Sequence, residues 1–187
     1  ERTYSNTFRP EGGNEASSVM ANTLRGVYGT DVLIAEGSSF TGSVLQADYT
    51  EKMAGYMIMP NGLLAYQREM SGAELKETVK AFVEGCEGGF TPFNRGSLPV
   101  VSGIAVEVKE ANGSYTLTGI TRNGQPLKDD DTVTVTCLAA EKQMEALLAS
   151  KSGTSEDGDA WVKNTWRDHV SGGSAALAEP ENYMTLR

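Results

Sequence analysis

The segment whose residue types best suit ligand binding is EGSSF, residues 36–40, which follows the short apolar run DVLIA. Its glycine and serines are small, so its backbone N–H groups can approach a ligand closely. In α/β proteins, ligands often sit just beyond the carboxyl ends of strands. The sequence therefore predicts a candidate binding loop here, although an ordinary connecting loop explains the same residues equally well.

Residues suited to acid–base, nucleophilic or metal chemistry are sparse. The one histidine, His169, falls in a predicted helix, and the sequence supplies no partner that would make it a general base. Asp129, Asp130 and Asp131 lack the spaced pattern of a calcium loop and are interpreted as a solvated turn. The only cysteines, Cys86 and Cys137, are too few for a Cys₄ or Cys₂His₂ zinc site. Free thiols and a single disulfide both remain open.

Composition narrows the classes of partner. The chain has 187 residues, enough for one domain with a substantial core. Its net charge of −9 argues against a nucleic-acid binder, which needs a basic face, and against an anionic membrane surface as partner. The sequence contains no run of about 18 apolar residues, so no segment of it is predicted to insert into a membrane. The first residues lack a signal-peptide pattern and position 1 is not Met, so we interpret the chain as a piece of a longer polypeptide.

The elements that must position the loop alternate between helical and strand periods. Helices are predicted at 15–28, 71–85, 139–149 and 161–170, the second opening with an S-x-x-E capping box. Strands are predicted at 31–35, 63–70 and 98–109. Two Asn-Gly turns predict that the last of these continues as an antiparallel meander through 115–121 and 132–136. The fold class is therefore α/β (α+β) with mixed and antiparallel strands between helix layers, in one domain at 14–187 after an irregular segment at 1–13.

The order of these elements and several strings resemble one known family. GTDVLIAEGSSFT, residues 29–41, is similar to the pattern G-A-D-I-x-x-x-N-G-G-G-I-R, and PNGL, residues 60–63, to P-F-G-N. SGAEL, residues 71–75, is similar to T-G-x-E-L at a helix start, and VVSGIAVEV, residues 100–108, to a v-S-G-l strand. Together these strings resemble the C-terminal domain of the 5′-nucleotidase and 2′,3′-cyclic phosphodiesterase family. The resemblance implies a four-layer α/β/β/α fold.

The resemblance also implies where substrate would bind, but the matching residues depart from the family pattern. Thr41 stands where the family has a substrate-contacting Arg, and Asn61 where it has a Phe that stacks on the base. The string after the 132–136 strand, CLAAEKQM, lacks the second stacking Phe and the G-G-D-G-Y motif. The ligand would be a nucleoside or nucleotide, with the phosphate poorly held. The candidate substrate-binding residues are Glu36, Gly37, Ser38, Ser39, Thr41, Asn61, Gly62, Phe90 and Phe93.

In that family catalysis belongs to a separate N-terminal domain that holds two divalent metal ions. None of its D-x-H, G-N-H-E/D or H-x-H strings occurs here, so we expect no cofactor and no phosphoester hydrolysis in this chain alone. The first hypothesis is a substrate-recognition domain for nucleotide catabolism. It would be joined to an N-terminal metallophosphoesterase domain in an exported, extracellular or cell-surface bacterial protein. The second is a degenerate module that binds nothing and serves a structural or interaction role.

Overall fold

The structure, a computed structural model, contains two four-stranded sheets with helices against them. It describes residues 3–5, 7–40, 44–45, 53–54, 56–58, 63–84, 98–139, 162–171 and 177–187. The helices are α1 (Glu15–Tyr28), α2 (Gly72–Glu84) and α3 (Val162–Val170). The strands are β1 (Thr3–Tyr4), β2 (Phe8–Arg9), β3 (Gly13–Asn14), β4 (Val32–Ala35), β5 (Val44–Leu45), β6 (Leu64–Ser71), β7 (Val100–Ser102), β8 (Ala105–Ala111), β9 (Ser114–Arg122), β10 (Gln125–Pro126), β11 (Thr132–Ala139) and β12 (Met184–Leu186).

The first sheet has the strand order β6-β11-β4-β7 and contains the centre of the core. β11 runs antiparallel to β6 and parallel to β4, and β7 is antiparallel to β4. All four β4 residues, VLIA, are fully buried. A short apolar run of this kind is typical of a strand covered on both faces. β4 therefore provides a buried support for the residues that flank it, Asp31 at its start and Glu36 at its end.

The second sheet has the order β10-β9-β8-β12. β8 and β9 form the predicted Asn-Gly hairpin, with Asn112 at φ 54° and Gly113 at φ 81°. Positive φ at both central residues defines the hairpin turn that matches strand twist. The extended tail ends in β12, which pairs parallel with β8.

Helix α1 begins and ends as its sequence predicts. The Asn14 side chain accepts a hydrogen bond from the Ser17 N–H at 2.9 Å, and Gly29 closes the helix at φ 67°. Such caps satisfy backbone groups that have no partner inside the helix. α1 packs on β4 and β7 of the first sheet, while α2 packs on β9 of the second. The predicted α/β class with mixed and antiparallel strands is confirmed, with a helix on each sheet as the four-layer arrangement requires.

Two strand predictions were wrong in detail. The TVTVT run is not the third strand of the meander, because β11 crosses to the first sheet and inserts between β6 and β4. The apolar residues that follow TVTVT explain this, since Cys137, Leu138 and Ala139 are buried and need cover on both faces. The 98–109 strand is also interrupted between β7 and β8, at Gly103 with φ 81°.

The segment at 1–13, expected to be irregular, contains short strands where it is described. β1 pairs with β5, and β2 pairs with β3. The Gly12 N–H donates to the Met184 carbonyl at 2.8 Å, which ties the segment to β12. A domain start at residue 14 stays a prediction. The helix predicted at 139–149 and the residues Cys86 and Trp161 lie outside the described residues, except for position 139 at the end of β11.

Replacing Ser71 with alanine should destabilise the fold by about 1 kcal/mol. The predicted capping box is present, because the Ser71 hydroxyl accepts from the Glu74 N–H at 3.2 Å and the Glu74 carboxylate accepts from the Ser71 N–H at 2.9 Å. Ser71→Ala removes the first of these bonds. Urea unfolding of the variant should show a lower midpoint at an unchanged slope. An unchanged midpoint would mean that the box does not stabilise α2.

Candidate functional site

The predicted binding loop lies at the carboxyl end of β4. A 3₁₀ turn at Gly37–Ser39 follows the strand, and Glu36 before it keeps an extended backbone at φ −65° and ψ 141°. The Ser39 N–H donates to the Glu36 carbonyl at 2.9 Å, which closes the turn. The loop thus forms a hydrogen-bonded turn at the carboxyl end of a buried strand.

Ser39 differs from its neighbours in the loop. Ser38 is exposed, and its hydroxyl lies 3.4 Å from the Glu36 carboxylate. Ser39 is fully buried, and its hydroxyl has no hydrogen-bond partner in the part of the chain that the structure describes. A buried hydroxyl without a partner costs about 1–3 kcal/mol. Ser39 therefore holds an unpaired hydroxyl in the interior of the protein, next in sequence to the exposed Ser38.

The structure places four of the nine predicted site residues together. Glu36, Gly37, Ser38 and Ser39 are consecutive, and Phe40 after them is buried and bridges to Ile58. The other five predicted residues lie outside the described ranges, so their place relative to this loop stays a prediction. They are Thr41, Asn61, Gly62, Phe90 and Phe93.

A cleft of about 410 Å³ opens near the other end of β4, and no sequence pattern indicated it. It is lined by residues from α1, from the turn between β7 and β8, from the turn between β9 and β10, and from the tail before β12. These four segments are far apart in sequence and come together only through sheet pairing. Its charged side chains are Arg25, Asp31, Arg122 and Glu181.

Asp31 is the best-connected side chain of this cleft. Its Oδ2 accepts from the Thr134 N–H and hydroxyl, each at 2.9 Å, and its Oδ1 accepts from Arg122 Nη2 at 2.8 Å. These contacts lower the pKa of the Asp31 carboxyl below its usual value, the Thr134 backbone hydrogen bond most of all. Partial burial opposes that shift, while Arg122 and Arg25 add to it. Asp31 is therefore a fixed carboxylate that links β4, β9 and β11.

Replacing Asp31 with asparagine should lower stability near neutral pH, and the deficit should shrink in acid. A carboxyl whose pKa is depressed in the folded state contributes stability above its unfolded pKa, here about 3.8, and loses it as pH falls through the lower folded value. Urea midpoints of wild type and Asp31→Asn, compared from pH 7 downward, measure this. The exposed Asp130→Asn is the control and should track wild type. A deficit that is constant with pH would contradict this assignment.

The other chemistry-bearing residues occupy structural positions. His169 lies half-buried on α3, and Trp166 on the same helix is fully buried. Cys137 is a free, buried thiol whose pKa burial raises to about 12, so it is not a nucleophile near neutral pH. Within the described ranges, no group of three or more His, Cys, Asp or Glu side chains could hold a metal ion. Among those same residues, no helix is long and apolar enough to cross a membrane.

Neither family models nor curated proteins match this sequence. Solved structures do match its fold. A 5′-nucleotidase precursor from Thermus thermophilus superposes with a TM-score of 0.70 at 14% identity, covering 98% of this chain and 38% of that one. The NAD nucleotidase of Haemophilus influenzae gives 0.66 at 18% identity, covering 94% and 34%. The sulfate thiohydrolase SoxB of T. thermophilus gives 0.61 at 13% identity, covering 90% and 31%.

These identities are too low to carry residue roles across, but the fold is common to all three structures. The chain spans about a third of the length of each protein that it matches. That partial coverage fits the C-terminal domain expected from the sequence. The chain thus has the mixed α/β fold found in part of 5′-nucleotidase chains.

Proposed function

We propose that this chain is the substrate-recognition domain of a larger 5′-nucleotidase-like hydrolase that acts in nucleotide catabolism. The observation that carries the proposal is the fold match, which takes in 98% of this chain but only 38% of the T. thermophilus nucleotidase. The catalytic metals would belong to an N-terminal metallophosphoesterase domain of the same polypeptide. The whole protein would be exported and would act at the cell surface or outside the cell.

The matched proteins do not share one substrate class by name, since two are nucleotidases and one is a sulfate thiohydrolase. The fold alone therefore does not identify the ligand, which has to be inferred from the residues of the site. The described part of the predicted loop offers one acidic side chain, Glu36, and a buried unpaired hydroxyl at Ser39. An anionic phosphate here would meet a carboxylate, while a ribose hydroxyl can both donate to Glu36 and pair with Ser39. The loop is better suited to a neutral nucleoside.

Calorimetry with adenosine and AMP tests this ligand preference. We expect adenosine to bind more tightly than AMP, because the phosphate adds repulsion and gains no Arg contact at position 41. Glu36→Gln should narrow the difference by improving AMP binding. Ser39→Ala should weaken adenosine binding about tenfold, the value of one buried hydrogen bond, while the exposed Ser38→Ala should not. Tighter binding of AMP than adenosine to the wild type would contradict the proposed site.

The isolated chain should not hydrolyse nucleoside monophosphates or an aryl phosphate, even with added Mn²⁺, Zn²⁺ or Mg²⁺. A metal-dependent phosphatase needs side chains that hold the ion against the phosphoryl oxygen. The sequence has one histidine and none of the D-x-H, G-N-H-E/D or H-x-H strings that hold the two metal ions in the resembled family. Release of inorganic phosphate, followed by a colorimetric assay, measures this. Metal-dependent turnover that survives repurification and is abolished by a substitution in this chain would overturn the assignment.

A second candidate is an interaction module that has lost its pocket. The observation in its favour is the pair of substitutions Thr41 and Asn61, where the family resemblance expects Arg and a stacking Phe. This candidate predicts that neither adenosine nor AMP binds. Calorimetry therefore separates the two functions as well as the two ligands.

A further inference from the structure

The cleft near the start of β4 is distinct from the predicted nucleoside loop. Asp31 and Glu36 are at opposite ends of the strand, five residues apart, which corresponds to about 16 Å of extended chain. A ligand seated on Ser39 would not fill the cleft. At about 410 Å³ its volume falls in the range of small-molecule sites.

Arg25 is the residue of the cleft with the most unused donors. It lies in the last turn of α1, is half-buried, and its Nε donates to the Ser102 hydroxyl at 2.7 Å. That bond orients the guanidinium. Its two terminal nitrogens have no hydrogen bond to any residue that the structure describes. A planar guanidinium held in this way presents paired N–H groups that match the oxygens of a carboxylate or phosphate.

The second cation, Arg122, is already compensated. Arg122 Nη2 contacts Asp31 Oδ1 at 2.8 Å, and both oxygens of Asp31 are occupied because Thr134 donates to Oδ2. Asp31 is therefore hydrogen-bonded to Arg122 and Thr134, and it attracts Arg25 only through space, without a hydrogen bond to the terminal nitrogens of Arg25. The terminal nitrogens of Arg25 are therefore the hydrogen-bond donors that this end of the cleft offers to a ligand.

The remaining charge, Glu181, sits farther along the cleft. Its backbone is anchored on α1, where the Ser18 hydroxyl accepts from the Glu181 N–H at 2.8 Å and donates to its carbonyl at 3.0 Å. Ser18 and Arg25 are seven residues apart, about 10 Å along the helix. The exposed Glu181 therefore adds a negative charge to the wall of the cleft.

We propose that this cleft is a second binding site, for a small oxyanion of the carboxylate or phosphate type, held by the terminal nitrogens of Arg25. Gly124 in its wall carries no side chain, and the space where a Cβ would stand is open. The site is independent of the nucleoside loop and of the function proposed for it.

Calorimetry with succinate and with inorganic phosphate tests the proposal on the intact chain. The wild type should bind succinate, inorganic phosphate or both. The probe with the higher affinity identifies the class of oxyanion that the cleft prefers. Arg25→Gln should weaken that binding about tenfold or more, the value of a charge-assisted hydrogen bond. Arg187→Gln, which removes the same charge from an exposed arginine that does not line the cleft, should leave it unchanged. No binding of either probe up to roughly 10 mM would overturn the proposal.

Glu181→Gln should strengthen anion binding, whereas Arg25→Gln should weaken it. Loss of folding cannot produce stronger binding. Removing this negative charge from the cleft wall should tighten anion binding about twofold at low salt, the effect in water of a unit charge roughly 10 Å away. Thermal unfolding of each variant shows whether it is folded. If Arg25→Gln is folded and binds like wild type, or if Glu181→Gln weakens binding, the oxyanion is not held at Arg25 and the proposal is wrong.

Discussion

Replacing Gly103 with alanine is expected to destabilise the fold by about 3 kcal/mol or more, a large part of a typical domain's roughly 5–15 kcal/mol. Gly103 joins β7 to β8 at φ 81°, a conformation that costs alanine about 1–2 kcal/mol. An added Cβ would also lie 2.0 Å from the Asp31 carbonyl oxygen. Because that atom belongs to the backbone at the start of β4, the sheet itself would have to shift. Urea unfolding of Gly103→Ala measures the loss.

Gly113→Ala is the matched control for this prediction. Gly113 has the same φ of 81°, but a Cβ there would meet nothing within 4 Å. Its substitution should cost only the conformational part, about 1–2 kcal/mol. Equal losses in the two variants would show that the close approach of Gly103 to Asp31 does not constrain the fold.

Truncation of Trp166 to alanine should cost about 3–5 kcal/mol. Trp166 is fully buried and anchors α3, a short helix whose other described residues are mostly half-buried. Its indole N–H has no hydrogen-bond partner among the described residues, so it contributes by packing rather than by polar contact. Trp166→Phe keeps most of the aromatic volume and should cost clearly less. Thermal unfolding of both variants tests this order, and a Phe variant as unstable as the Ala variant would contradict it.

The sequence was most informative where the signal was local. Helix α1 with its Gly29 end, the capping box of Ser71 and Glu74, and the Asn112–Gly113 turn each depend on residues a few positions apart. Short-range hydrogen bonds and backbone preferences decide such features, so their residue types reveal them. The turn at Gly37–Ser39 belongs to this group as a structural feature, because it follows directly from the buried run of β4, while its binding role stays a prediction.

The sequence was least informative where strands choose partners. The run Thr132–Thr136 continued a plausible meander, yet β11 pairs with β6 and β4 of the first sheet, where the residues 135–139 are buried. The contact of Arg122 with Asp31, 91 residues apart, depends on that choice, since Asp31 also bonds Thr134 of β11. Neither arginine of the cleft stands in a motif. Strand pairing and register bring the lining residues of the cleft together, so their spacing in the sequence does not indicate it.

The coding sequence immediately upstream of the Glu1 codon tests the central claim most directly, because the claim is that this fold serves a neighbouring catalytic domain. We expect an in-frame metallophosphoesterase domain with intact D-x-H, G-N-H-E/D and H-x-H strings, preceded by an export signal. The joined protein should then hydrolyse a nucleotide in a metal-dependent reaction. An upstream region that encodes a membrane anchor or unrelated repeats, with no metal-binding strings, would contradict it.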